Sequence, residues 1–128
     1  MNVADRSAKL NKKVYEALIN DTALLNLVKK ESIFEDSVPR ETQAKPPYVV
    51  YQEISYLPVK YGDGQPLMDS AVYQIDAYDS SYSPEDIVSA FVDIMNHLDF
   101  QATTLIKEKL ENESLNRRGY RFEANILL

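Results

Sequence analysis

The chain has 128 residues, the length of one ordinary domain, and its 45% hydrophobic and 27% charged residues are typical of a folded protein. A net charge of −6 argues against a free-standing nucleic-acid-binding protein, because phosphate contacts require surplus lysine and arginine. The absence of cysteine excludes a disulfide scaffold, a thiol nucleophile and thiolate metal sites. No apolar run approaches the roughly 20 residues that cross a bilayer, and the first residues lack a signal-peptide layout. We therefore expect a soluble, cytosolic protein.

Charge is unevenly distributed along the chain. Residues 1–30 are net basic, whereas residues 31–128 are net acidic. Ordinary solvated faces of opposite sign explain such a split. The alternative, which the sequence leaves open, is self-association in which the basic first helix of one copy meets an acidic strand face of another.

Two helical segments are predicted at the start of the chain. The first spans residues 5–20, where Leu10, Val14 and Leu18 recur at four-residue spacing and form one apolar face. Asp21 is the predicted N-cap of a second, short helical turn. The buried residues of this turn are predicted to be Leu24, Leu27 and Val28.

Strand patterns follow. A short strand is predicted at residues 33–38, and a polar, proline-punctuated loop at residues 39–47. The clearest strand spans residues 48–56 and alternates, which favours a half-buried strand. One face of this strand is predicted to carry Tyr48, Val50, Ile54 and Tyr56, and the other Val49, Tyr51, Glu53 and Ser55.

Residues 57–69 contain two prolines and two glycines and exceed the usual hairpin connection, so they are predicted to form a long inter-strand loop. We expect either a projecting, mobile arm or a disordered insertion without a role. In the first case the arm contacts a neighbouring subunit or another protein, with Tyr61 as its anchor. The contacting residues are then predicted to be Lys60, Tyr61, Asp63, Gln65 and Leu67.

The second half begins with a strand at residues 71–79, with Tyr73, Ile75 and Ala77 inward. A helix follows, with Ser83 as N-cap and Pro84 in its first position. Its apolar stripe is formed by Ile87, Val88, Phe91, Ile94, Met95 and Leu98. Residues 103–113 fit either a helix or a strand. Residues 117–127 alternate cleanly and predict a last strand, with Tyr120, Phe122, Ala124 and Ile126 on one face.

This order predicts an α+β fold in a single domain, residues 1–128. We expect a mainly antiparallel or mixed sheet of about five strands, with two main helices packed on one face. The predicted core consists of Leu10, Val14, Leu18, Val50, Ile54, Tyr73, Ile75, Phe91, Ile94, Leu98, Phe122 and Ala124.

Nothing in the sequence assembles a catalytic or metal site. His97, the single histidine, falls off the apolar stripe of its helix and is predicted to be exposed. Gly62-Asp63-Gly64 lacks the spacing of a phosphate-binding loop. Adjacent carboxylates such as Glu85 and Asp86 suit a helix N-terminus and need no acid–base role. We expect no enzyme, no cofactor and no metal.

Tyrosine usage offers one further observation, since the chain has nine tyrosines and no tryptophan. Tyr51 and Tyr78 fall on the predicted outward faces of their strands. Aromatic residues in such places are typical of a protein interface, although covering loops explain them equally well. Both readings stay open.

The order of several short motifs resembles that of a known family. The sequence carries VYEAL at residues 14–18, DTAL at 21–24, IFEDSVP at 33–39 and PPYVVY at 46–51. DAY follows at residues 76–78, then the helix, and RRGYRF at residues 117–122. Together they resemble the tail-completion proteins of long-tailed phages, also called tail-terminator or tail-to-head joining proteins. Residues 57–69 and 107–113 depart from the pattern.

The resemblance implies an α+β virion protein, assembled in the host cytoplasm, that forms a hexameric ring on the finished end of the tail tube. The ring stops tube polymerisation and joins tail to head. Its implied partners are the tail tube protein, the head-connector or head-closure protein and further copies of itself, while DNA passes through without specific binding. The resemblance also favours a strand at residues 103–113.

Two alternatives stay open beside this reading. One is another ring-forming neck protein, such as a head-closure or minor tail protein. The other is a small cellular adaptor or ligand-binding α+β domain.

Overall fold

The computed structural model describes residues 1–39, 44–80 and 84–128. Its helices are α1 (Val3–Ile19), α2 (Thr22–Leu25) and α3 (Glu85–His97), with short 3-10 turns at Lys30–Ser32 and Glu111–Glu113. Its strands are β1 (Ile33–Glu35), β2 (Tyr48–Gly62), β3 (Gln65–Asp79), β4 (Gln101–Leu110) and β5 (Leu115–Leu127). The predicted α+β class is confirmed.

The strands form one five-stranded mixed sheet in the order β1-β2-β3-β5-β4. β1 runs parallel to β2, and the other neighbouring strands are antiparallel. In the register of the sheet, Tyr51 faces Ile75, and Ile75 faces Tyr120 on its other side. α1 and α3 pack on one face of the sheet and contact each other. The opposite face, which we call the open face, carries no helix among the described residues.

The segment at residues 57–69 is not a loop. β2 continues to Gly62, a two-residue turn at Asp63-Gly64 reverses the chain, and β3 begins at Gln65. Asp63 and Gly64 have φ angles of 52° and 76°, the positive values that a tight hairpin turn of this kind requires. The predicted long inter-strand loop was therefore wrong. Pro58 and Pro66 are accommodated in the strands, where β2 is interrupted by bulges.

The predicted faces of β2 are reversed from Tyr48 to Glu53, and the bulge at Ile54 then returns Tyr56 to the core side. Val49 and Tyr51 point into the core, whereas Val50 is half-buried on the open face and Ile54 is 39% exposed at a bulge. The prediction of Val50 and Ile54 as core residues was therefore wrong. Apolar residues occupy both faces at the start of β2, so alternation alone does not fix which face is buried.

Side-chain caps begin α1 and α2, whereas α3 has Pro84 itself as its N-cap, without a side-chain hydrogen bond, rather than in its first helical position as predicted. Asn2 accepts a hydrogen bond from the backbone N–H of Asp5 at the start of α1, and Asp21 accepts one from Leu24 at the start of α2. Val14, Leu18 and Leu24 are fully buried, but Leu27 is 40% exposed, so its predicted burial was wrong. The predicted N-cap Ser83 lies outside the described residues.

The core forms between the helices and the inner face of the sheet. Phe91 of α3 packs edge to face on Phe122 of β5, with ring centroids 6.3 Å apart. The predicted burial of most of the core is confirmed, while Leu10 and Leu98 lie at its margin and are only partly buried. The segment predicted as helix or strand, residues 103–113, is a strand up to residue 110, within the edge strand β4, and ends in the 3-10 turn Glu111–Glu113.

Candidate functional site

The end of the β2–β3 hairpin, residues 57–67, exposes apolar side chains and is here called the hairpin tip. Leu57, Val59, Tyr61 and Leu67 are 47%, 45%, 63% and 49% exposed. The last pair between β3 and β5 joins Met68 to Leu127, so the turn extends beyond the end of β5. The five polar and apolar residues predicted from the sequence at this segment are all exposed: Lys60, Tyr61, Asp63, Gln65 and Leu67.

The last residues of the chain lie beside the hairpin tip. The backbone N–H of Leu128 donates to the carbonyl of Leu67 at 3.1 Å. Leu127 and Leu128 are 78% and 52% exposed, which enlarges the apolar area at this end of the sheet. Exposed apolar clusters of this type are typical of protein-binding surfaces.

A buried ion pair anchors the base of the hairpin to α1. Arg6 donates to Asp69 through Nε at 2.6 Å and through Nη2 at 3.1 Å, a bidentate arrangement, and Tyr56 donates its hydroxyl to Asp69 at 2.7 Å. The Asp69 side chain is fully buried. The hydrogen bond from Arg6 holds the pKa of Asp69 below its usual value, and burial together with this carboxylate raises the pKa of Tyr56 to about 12.

A second polar contact fixes β2 under α1. Glu53 accepts hydrogen bonds from the Ser7 hydroxyl at 2.6 Å and from the Tyr73 hydroxyl at 2.8 Å. Burial, followed by this hydrogen bond, raises the pKa of Tyr73, so its hydroxyl stays neutral and donates. The hairpin is therefore held rigidly at its base, and its tip is positioned by a fixed scaffold.

The open face contains a network of polar side chains. Asp76 accepts hydrogen bonds from Gln74 and Arg117, both at 3.0 Å, and Arg121 donates to Gln74 at 3.1 Å. Gln74 and Asp76 are buried beneath the two arginines, although none of the described helices covers them. Burial acts to lower the pKa of Arg117, but the hydrogen bond and charge of Asp76 outweigh it and raise that pKa.

Gly119 makes this network possible. It pairs with Asp76 across β3 and β5, and a Cβ atom at this position would overlap the Ile75 carbonyl and the Asp76 side chain. The last strand predicted at residues 117–127 includes Gly119 but gives it no packing role. A glycine within an alternating strand is a signal for close backbone approach, so the packing role of Gly119 could have been predicted from the sequence.

The two tyrosines predicted to mark an interface lie in different environments. Tyr51 is only 3% exposed and packs beside Tyr15 of α1, with ring centroids 6.4 Å apart, so its predicted outward position was wrong. Tyr78 lies on the open face, half-buried, stacked on Tyr48 at 4.9 Å and next to Arg117. Burial raises the pKa of Tyr78.

His97 is exposed, and its Nδ1 lies 2.8 Å from the carbonyl oxygen of Asp93 on its own helix. No group of histidines and carboxylates within residues 1–39, 44–80 and 84–128 has the geometry of a metal site. A cleft of about 550 Å³ beside Pro84 is lined by charged side chains, of which Arg118 pairs with Glu85 and Arg117 with Glu108.

A family model described as "Tail completion protein gp17" matches residues 12–126. The chain belongs to this family. Family membership makes it a structural protein of the phage tail and places it in the virion. The tail-completion resemblance drawn from the sequence motifs is confirmed. None of the helices in the described ranges combines the length and apolarity that a bilayer crossing requires.

A solved structure supports the fold assignment for this tail-completion protein. The chain is similar to one in a structure described as "Virion of native gene transfer agent (GTA) particle", with a TM-score of 0.62 and 19% sequence identity. The match covers 90% of this chain and 92% of the other. No curated protein sequence matches this chain.

Proposed function

We propose that this protein caps the finished end of the tail tube, stops its polymerisation and joins the tail to the head as an oligomeric ring of six copies. The observation that carries the proposal is the tail-completion family match over residues 12–126. Its partners in this role are the tail tube protein, the head-connector or head-closure protein and further copies of the same chain.

The hairpin tip supports the capping step. An apolar surface held by a rigid base needs little ordering when it binds, which favours tight attachment to a preformed tube end. Tyr61 is the most exposed side chain of the tip's four large apolar residues, and it would bury the largest area on contact. We assign the tip to contact with the tail tube, with Tyr61 and Leu67 as its anchors.

The charge of the chain supports the joining step. Each copy contributes a net charge of −6, and an acidic ring repels the DNA backbone, so DNA passes through without adhering. Arg117 on the open face pairs with both Asp76 and Glu108, so its charge is neutralised and is not free to hold the phosphates.

Tube-capping is tested with the protein, its tail tube protein and variants of the tip. The double variant Tyr61→Ser/Leu67→Ser removes the apolar anchors without touching the core, and Leu27→Ser removes an exposed apolar side chain on the α2 side as a matched control. Tubes polymerised with the wild-type protein or the control should stay at a defined length in electron micrographs. The double variant should give over-long tubes while keeping the wild-type melting temperature.

Tubes of normal length with the folded double variant would remove the tip from the capping surface. Over-long tubes with the wild-type protein itself would contradict the capping function.

A further inference from the structure

Two edges of the sheet present unpaired backbone groups. Among the strands that the structure describes, β4 pairs only with β5 and is the last strand on its side of the sheet. On the other side β1 ends at Glu35, opposite Tyr51, so within the described residues β2 has no strand neighbour there from Gln52 onward. Edges of this type bind a further strand when one of matching direction is supplied.

The directions of the strands suit a head-to-tail repeat. β2 and β3, β3 and β5, and β5 and β4 are each antiparallel, so β4 runs opposite to β2. When a second copy is placed beside the first in the same orientation, its β2 lies antiparallel to β4 of the first. The helices of both copies then stay on one side of the joined sheet, and the two open faces form one surface.

We propose that β4 of one copy pairs with the open segment of β2, residues 52–57, in the next copy, so that the sheet runs continuously around the ring. This inference rests on the proposed function, which requires a ring. A contact between two different edges is heterologous, and repeated contacts of this kind close into a ring when the rotation allows it.

The side chains of the two edges are complementary. Lys107 and Glu53 both lie on the helix side of the sheet, opposite Arg118 and Tyr73 in their own copies. Glu53 accepts two hydrogen bonds, but it forms no ion pair with any of the described residues. In the proposed contact, Lys107 of the neighbouring copy faces Glu53 and supplies the cation that Glu53 lacks.

The same register brings apolar side chains together. The register is set by placing Lys107 opposite Glu53. Ile54 lies at the β2 bulge and takes no part in the pairing. Leu105 then faces Tyr56, and Thr104 faces Leu57. Leu105 and Leu57 are 46% and 47% exposed in the isolated chain, and the added strand covers both. Pro58 has no N–H to donate, so the new ladder stops before it. Leu57, the first residue of the hairpin tip, is then part of the contact between copies, and the rest of the tip, with Tyr61 and Leu67, stays free for the tube.

Engineered cysteines test the register directly, because the chain has no cysteine of its own. Directly opposed residues in an antiparallel pair have Cα atoms roughly 4.5–5.5 Å apart, within the range of a disulfide. We expect the double variant Leu57→Cys/Thr104→Cys, assembled into rings and mildly oxidised, to give a ladder of covalent multimers on non-reducing gels. A mixture of the two single variants should give dimers alone, and each single variant should remain monomeric.

A displaced pair, Leu27→Cys/Thr104→Cys, serves as the control. Leu27 lies beside Phe34 and Pro47, at the opposite end of β2 from Leu57, so its thiol should not reach position 104. Disulfide dimers from Thr104→Cys alone would overturn the proposal in favour of a symmetric β4–β4 contact.

Two further outcomes separate this inference from the proposed function. Rings that cap tubes but give no cross-link between positions 57 and 104 would overturn the edge pairing and leave the capping function standing. Cross-linked rings that fail to limit tube length would support the edge pairing and count against the capping function.

Discussion

Asp76 and Gly119 face each other across β3 and β5, and the carboxylate of Asp76 lies over the bare backbone of the glycine. Because no side chain occupies that position, the carboxylate lies flat against the sheet and reaches Gln74 and Arg117. The glycine therefore sets the shape of the open face, and the aspartate neutralises the arginine that covers it.

A methyl group at this glycine should be poorly tolerated. Gly119→Ala would force its Cβ against the Ile75 carbonyl and the Asp76 side chain, and overpacking of this type costs about 1–3 kcal/mol or more. Urea titration measures the loss. Gly62→Ala is the matched control, because its Cβ would meet only the flexible side chain of Leu67 and should cost less. Equal losses for the two variants would contradict this account.

The Arg6–Asp69 pair should make part of the stability depend on pH. The folded-state pKa of Asp69 lies below the unfolded value of about 3.9. The pair therefore stabilises the fold above that pH, and this stabilisation is lost as the pH falls through the folded-state pKa. Asp69→Asn should lower the free energy of unfolding at pH 7 and reduce its decline between pH 5 and pH 2.

The control for this prediction is Asp63→Asn, at the exposed hairpin turn, where asparagine also adopts a positive φ angle. Its acid profile should match the wild type. If both variants lost stability in acid as steeply as the wild type, Asp69 would have no part in the pH dependence.

The sequence predicted most elements because their periodicities are strong. The stripe of α3, with Phe91 at its centre, fits one face of a helix and nothing else. The prediction of the buried face at the start of β2 was wrong because tyrosine and valine lie on both faces of the strand. Shifting the strand by one residue gives an equally apolar pattern. Asp63-Gly64 is a strong signal for a tight hairpin turn. The loop was predicted instead because Pro58 and Pro66 lie close to it in the sequence.

The site was harder to predict than the fold. The exposed residues of the hairpin tip could be chosen from their polarity and position. The buried Asp69 could not, because its partner Arg6 is 63 residues away in the sequence and only tertiary packing joins them. In the sequence alone, a buried carboxylate cannot be distinguished from a surface carboxylate unless its cationic partner is identified.

Phe91→Ala should test the packing of α3. Phe91 is completely buried and contacts Phe122, so truncation should lower the free energy of unfolding by about 3–5 kcal/mol. Leu27→Ala, at an exposed position, is the control and should change it by less than about 0.5 kcal/mol. A loss below about 1 kcal/mol for Phe91→Ala in denaturant titration would place this ring outside the core.

His97→Ala should leave folding and assembly intact. The imidazole is exposed, and the contact the structure gives it is with the carbonyl oxygen of Asp93, one helical turn away. Melting temperature and tube-capping are the two measurements. Loss of capping by a variant with an unchanged melting temperature would give His97 a direct role in assembly.

The stacked rings of Tyr48 and Tyr78 give this protein an optical reporter on its open face. The rings lie 4.9 Å apart and within 14° of parallel, close enough for their electronic transitions to couple. With nine tyrosines and no tryptophan in the chain, near-ultraviolet circular dichroism is free of indole signals, and tyrosine contributes most of it. A molecule that binds to this face and changes the orientation of either ring changes the ellipticity. Assembly on the open face can therefore be followed in real time without attaching a dye.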